Sequence, residues 1–170
     1  MNANLTSIAV AASLFPGFSH ACWEQAAQKH TIPVPLLVAV ARAESALNPR
    51  AVNRSHSDKT GTVDIGIMQI NSDRGTLKNL GVTAEQLLDP CTNIDAGARI
   101  LAEKMARHGR TWEAVGAYNA SCISLTTQQC LRVRMRYAWR VYRFLIAWPA
   151  TKPPVIREFL PSPIVRVRLG

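Results

Sequence analysis

The chain has 170 residues, 48% of them apolar, with 20 Lys and Arg against 11 Asp and Glu for a formal charge of +9. That length suits one domain with extensions and can bury a proper core, and the apolar content excludes disorder throughout. The charge, with a pI near 10.0, points to an anionic partner: nucleic acid, a membrane surface or a cell-wall polymer.

Residues 1–21 carry no Lys, Arg, Asp or Glu, so the terminal amine is the only charge there. An apolar run from Ile8 to Phe15 is followed by Pro16-Gly17 and then Ser19-His20-Ala21, a small-x-small ending. This reads as an export signal cleaved before Cys22. The run is too short to anchor across a bilayer, and Ser19-His20 makes a poor lipobox. Export agrees with four cysteines, Cys22, Cys91, Cys122 and Cys130. An even number in an exported chain suggests disulfides, with three possible connectivities. Cys122 and Cys130 are close enough to staple one short loop, which would leave Cys22 for Cys91. Reduced thiols in a cytosolic protein are the alternative. Zinc is poorly supported, because no CxxC pair occurs and His20, His30, His56 and His108 are scattered.

The mature chain reads as helical with one irregular middle. Cys22 to His30 is predicted as a short helix. A second starts in Thr31-Ile32-Pro33-Val34-Pro35, where proline is tolerated in the first turn, and closes before Asn48-Pro49. Leu37, Val40, Ala41 and Glu44 fall at i, i+3, i+4 and i+7, placing a carboxyl on the core-facing side. A carboxyl buried there without a cation resists ionisation and becomes suited to general-acid work. The plainer reading is a helix-end Glu bending out to water.

Arg50 to Gly61 is predicted as loop. Val63, Ile65 and Ile67 alternate with Asp64 and Gly66, predicting a short extended segment through Met68-Gln69-Ile70-Asn71. Helix resumes after Pro90, with Thr92 as cap, Asp95 at the capping-box position, and Ile94, Ala98, Leu101 and Met105 as the buried stripe. Gly109 stops it, and Thr111 caps Trp112 to Asn119. A final helix from about Gln129 to Trp148 puts Leu131, Met135, Ala138, Trp139, Tyr142 and Leu145 on one side, with arginines elsewhere. Pro149, Pro153 and Pro154 end it, leaving residues 149–170 as a Pro-rich basic extension.

Three segments then stand in order: Glu44-Ser45 at a helix end, Gly66-Ile67-Met68-Gln69-Ile70-Asn71, and Ala117-Tyr118-Asn119-Ala120. Together, over Cys22 to Trp148, they resemble the lytic transglycosylases of the soluble-transglycosylase, lysozyme-like type. The small size, the Cys22-Trp23 start and Asp89-Pro90-Cys91 resemble that family's specialised branch serving pilus, conjugation or type III and type IV secretion machines. The resemblance implies a mainly α, goose-type lysozyme-like domain over 22–148, with a short irregular or β segment at the cleft. It implies a periplasmic monomer acting on peptidoglycan glycan strands without cofactor or metal. Glu44 would protonate the oxygen between N-acetylmuramic acid and N-acetylglucosamine. The substrate's own C6 hydroxyl would then attack the anomeric carbon, giving a 1,6-anhydro product, with ionised Glu44 taking its proton.

The same resemblance implies that Ser45, Gly66, Met68, Gln69, Tyr118 and Asn119 serve the substrate side, and Asp64, just before Gly66, is placed with them. Ser45 would hydrogen-bond near the catalytic helix end, and Gly66 would allow close approach of backbone and glycan. Met68 and Gln69 would line the cleft, Gln69 as donor and acceptor to an N-acetyl group. Tyr118 would hold Glu44 through its hydroxyl, and Asn119 would bond backbone or glycan. Each has a plainer role as cap, turn glycine, core or packed aromatic. Ile67 replaces a more usual leucine, and Ser121 stands where a glycine often follows Tyr-Asn-Ala. A hydrolase would need a second carboxylate, with Asp58, Asp64, Asp73 and Asp95 as candidates and Asp64 first, although Asp64 also suits a turn. Hydrolytic lysozyme, an idle wall-binding scaffold and a nucleic-acid module carried by Arg132 to Arg143 are the competing readings; the last explains neither the export signal nor the inward Glu44.

Overall fold

The computed structural model describes residues 20–147. The apolar part of the export signal and the Pro-rich extension lie outside the described residues. Helices dominate: α1 (His20–His30), α2 (Val34–Ser45), the single turn α3 (Ser57–Thr60), α4 (Arg74–Leu80), α5 (Pro90–His108), α6 (Trp112–Asn119) and α7 (Thr127–Ile146). A 3-10 turn, Gln86–Leu88, precedes α5. The irregular middle forms three two-residue strands, β1 (Val52–Asn53), β2 (Asp64–Ile65) and β3 (Ile70–Asn71), paired antiparallel in that order.

The fully buried Leu37, Val40 and Ala41 of α2 sit in the core with Ile94, Ala98 and Leu101 of α5 and Val141 of α7. Around α2 and α5, α7 packs on α2 and α6, while α1 packs on α5. Two disulfides complete the frame. Cys22–Cys91 ties α1 to the first turn of α5, and Cys122–Cys130 closes the loop before α7.

Four local expectations change. The stretch expected as loop from Arg50 to Gly61 holds β1 and the single turn α3. The predicted extended segment is a hairpin, because Gly66 (φ 78°) and Gln69 (φ 49°) turn the chain between β2 and β3. The α5 cap is Asp89, whose carboxylate accepts from the Thr92 N–H at 2.8 Å, with Pro90 in the first turn. Asp95 instead pairs with Lys29 and His30 of α1. The buried face of α7 is Tyr137, Ala138, Val141 and Leu145, whereas Leu131, Met135 and Trp139 are exposed. That helix has apolar residues on both sides, and packing on α2 and α6 chose the phase containing Tyr137.

Candidate functional site

Glu44 occupies the last turn of α2, where the buried stripe runs out into a cleft of about 880 Å³. The helix ends abruptly, with Ala46 (φ 54°) and Leu47 (φ 66°) both left-handed although neither is glycine. Such strained conformations persist only where surrounding packing imposes them. Glu44 is half-buried, and its Oε1 accepts a hydrogen bond from the Tyr137 hydroxyl at 2.5 Å, across 93 residues of sequence. Burial raises its pKa above the ordinary carboxylate value. The Tyr137 hydrogen bond and the Arg140 cation pull it down, while the charge of Asp64 raises it. A cation, Arg140, is thus present beside the carboxyl, and desolvation still outweighs it.

Tyr137 is itself held. Its ring stacks with Tyr118 at 6.4 Å between centroids, and the Arg140 guanidinium lies 5.1 Å over it. Burial and the nearby Glu44 charge keep both phenols neutral to well above the usual tyrosine range, so Tyr137 remains a donor. The geometry gives Tyr137 the role expected of Tyr118. The Tyr118 hydroxyl donates to the Met68 carbonyl at 2.8 Å, pinning the hairpin, while Tyr118 also lines the cleft.

The facing wall comes from strand register. Asn53, Asp64 and Asn71 are cross-strand neighbours in one row. Both amides donate to the Asp64 carboxylate, at 3.1 Å from Asn53 and 2.8 Å from Asn71. His56 lies 3.7 Å from the same carboxylate. Asp64 thus shares the cleft with Glu44. Of the other acids considered, Asp73 lines the cleft but spends its oxygen on the Gly75 and Thr76 N–H groups. Asp58 does not line it, and Asp95 is engaged with α1.

Glu44, Asp64, Gln69, Tyr118 and Asn119 therefore meet at one cleft, and Ser45, Gly66 and Met68 do not line it. The Ser45 hydroxyl donates to the Ile67 carbonyl at 2.8 Å, tying the end of α2 to the hairpin. Met68 is fully buried and offers only its backbone. Gly66 makes room for Asn93 rather than for glycan, because a Cβ there would stand 2.3 Å from the Asn93 amide nitrogen. Gln69 spends its amide N–H groups on the Gly66 and Ala51 carbonyls, leaving its side-chain oxygen as acceptor. Asn119, at the end of α6, has an exposed side chain without a hydrogen-bond partner among the described residues. Ser121 also lines the cleft, and the positive φ in that loop falls on Cys122 (63°), so no glycine is needed at 121.

Sequence reading missed Tyr137, Arg140 and Asn93. Tyr137, Val141 and Leu145 do form an i, i+4, i+8 series, the signal that would have found the first. Removing the Tyr137 hydroxyl should raise the Glu44 pKa further, since its hydrogen bond lowers it. If Glu44 acts as an acid, the alkaline limb of the Tyr137→Phe pH–activity profile moves upward, with maximal activity down about tenfold from lost orientation. An unmoved limb would separate Tyr137 from the titrating group.

Comparison with known proteins bears on the family and the fold. The "Transglycosylase SLT domain" family matches residues 21–129. The chain is 43% identical over 129 residues to "Invasion protein IagB" of Salmonella typhimurium (strain SL1344), covering 73% of this chain and 76% of that one. It is 40% identical over 124 residues to "Protein IpgF" of Shigella flexneri, covering 72% and 77%. Among solved structures it is similar to Lytic Transglycosylase Slt, inactive mutant, from Pseudomonas aeruginosa, with a TM-score of 0.58 at 20% identity. That match covers 78% of this chain but 24% of the larger protein, and it shows that the fold is lysozyme-like and mainly helical.

Proposed function

The chain belongs to the transglycosylase SLT domain family, and from that membership we propose that it is a peptidoglycan lytic transglycosylase with Glu44 as its single catalytic acid and base. The observation that carries this is the half-buried Glu44, raised in pKa, held by Tyr137 in a cleft of about 880 Å³. That size lies toward the upper end of the roughly 300–1,000 Å³ typical of small-ligand sites and suits more than one sugar ring.

Protonated Glu44 gives its proton to the glycosidic oxygen as the bond to the N-acetylmuramic acid anomeric carbon breaks and positive charge develops on the sugar ring. The C6 hydroxyl of the same sugar attacks that carbon, and Glu44, now ionised, removes the hydroxyl proton. The 1,6-anhydro ring closes without added water, and Glu44 ends protonated. Tyr137 and Arg140 steady the carboxylate between the two steps. Asp64, oriented by Asn53 and Asn71, stabilises the developing positive charge. The Gln69 oxygen and Asn119 are the polar contacts for the glycan. Disulfides and the 1–21 segment support action outside the reducing cytoplasm, in the periplasm. The resemblance to an Invasion protein supports a local opening of the wall for a secretion or pilus apparatus.

Mass spectrometry of peptidoglycan digested by the disulfide-bonded protein tests the reaction. Products ending in 1,6-anhydromuramic acid are expected; reducing-end muramic acid would overturn the transglycosylase in favour of a lysozyme using Asp64. Asp64→Asn should keep the anhydro product while cutting activity on the order of tenfold to hundredfold. Because the Asp64 charge raises the Glu44 pKa, its alkaline limb should move down, opposite to Tyr137→Phe.

A further inference from the structure

The outward face of α7 carries a pattern that neither the core nor the cleft uses. Leu131, Met135, Trp139 and Ile146 are exposed along it, Trp139 by 60% and Ile146 by 62%. Tyr142 joins them, its ring edge-on to Trp139 at 5.3 Å and to Trp112 at 5.4 Å, so an aromatic ladder climbs from α6 to solvent. At helical spacing, the exposed Arg132, Arg136 and Arg143 fill the adjoining sector. None of these three is in an ion pair among the described residues. No Asp or Glu follows Glu113 before the end of α7.

We propose that this face of α7 docks on an anionic phospholipid bilayer, the helix lying in the plane of the interface. Leu131, Met135, Trp139 and Ile146 enter the upper acyl region, Tyr142 and the Trp139 indole sit at headgroup level, and the three arginines engage phosphates. The outer face of one helix is a convex ridge, not a groove, which suits a deformable surface better than a peptide. A glycan strand satisfies the arginines through its stem carboxylates but gives Leu131, Met135 and Ile146 nothing apolar to bury against. A bilayer supplies both chemistries in the order in which the two sectors adjoin. No described helix is long and apolar enough to cross a membrane, so the contact is peripheral. Arg140, beyond the cationic sector, lines the cleft, which keeps Glu44 clear of the lipid. The proposal stands independently of the reaction assigned to Glu44.

Co-sedimentation of the full disulfide-bonded chain with phosphatidylethanolamine–phosphatidylglycerol vesicles, and with phosphatidylcholine vesicles, tests it. Binding to the anionic vesicles is expected to be about tenfold or more tighter, and to weaken by about tenfold or more in Met135→Ser/Trp139→Ser. Trp139→Phe should keep binding while reducing the quenching of tryptophan fluorescence by brominated lipids. Should the double-serine protein be perturbed in fold, Arg132→Gln/Arg136→Gln/Arg143→Gln provides a second reading by abolishing the preference for anionic lipid. Unchanged vesicle binding in both variants overturns the proposal, and so does loss of binding to insoluble peptidoglycan alone. Self-association through this face, seen by sedimentation velocity without vesicle binding, overturns it as well.

Discussion

Replacing Glu44 by Gln is expected to abolish release of glycan fragments, by about a thousandfold or more, while the protein stays folded and still binds insoluble peptidoglycan. Positioned acid–base groups contribute about 10²- to 10⁴-fold, and in the proposed mechanism one carboxyl serves both steps. Gln keeps an oxygen for the Tyr137 hydroxyl to bond, so the local structure has little reason to shift. Stability supplies a second readout with a defined sign. Folding raises the Glu44 pKa, mainly through burial. The stabilisation from the neutral carboxyl is therefore fully present below its unfolded pKa and is lost as pH rises through its folded one. Gln cannot ionise and bears no such loss. Glu44→Gln should thus melt no lower than the parent at neutral pH, the difference closing under acid. A variant that retains cleavage removes Glu44 from the mechanism, and one that melts lower at neutral pH contradicts the burial argument.

The largest expected loss of stability comes from Asn93→Ala, far smaller in chemistry than in consequence. Asn93 is fully buried in α5, and among the described buried residues it is the one outside the aliphatic, aromatic, sulfur-containing and glycine set. Its Oδ1 accepts from the Met68 N–H at 2.8 Å, and its Nδ2 donates to the Ile65 carbonyl at 2.8 Å and the Leu87 carbonyl at 3.0 Å. Alanine removes all three of these buried hydrogen bonds and opens a void beside Gly66. At about 1–3 kcal/mol for each unsatisfied group, with some recovered by relaxation, the cost is about 3–5 kcal/mol. Chemical denaturation measures it, and a loss below about 1 kcal/mol would mean that water replaces the amide. Gly66→Ala should be destabilising for the same reason, since its Cβ meets Asn93 and its φ is 78°. Combining the two substitutions should cost less than their sum, because the first removes what the second collides with.

Helices with one unambiguous face were readable before the structure. Thr111 caps α6 and Gly109 follows α5, as their residue types require. The inward turn of Glu44 follows from Leu37, Val40 and Ala41, all fully buried. Short-range cues failed where two readings were equally good locally. Asp89 and Thr92 could each cap α5, and only the first precedes Pro90 at the geometry that accepts the Thr92 N–H. In α7 the series through Leu131, Met135 and Trp139 competes with that through Tyr137, Val141 and Leu145. Nothing within one helix says which side meets α2. The Glu44–Tyr137 contact was illegible for that reason. The family match ends at residue 129, in the first turn of the helix that supplies Tyr137 and Arg140 and short of both residues. Register hid the Asn53–Asp64–Asn71 row, because two-residue strands carry almost no alternation to read.

The turn between β2 and β3 has the backbone of a loop and the attachments of a core. The Met68 N–H is held by Asn93, its carbonyl by Tyr118, and the neighbouring Ile67 carbonyl by Ser45. In hydrogen-exchange experiments the Met68 amide should therefore be among the slowest in the molecule, exchanging only when the whole domain opens. On the proposed function, a glycan arriving at the cleft would meet Gln69 on a turn already tied to the core. Contacts to that turn would be made with less of the entropic penalty that mobile recognition segments impose.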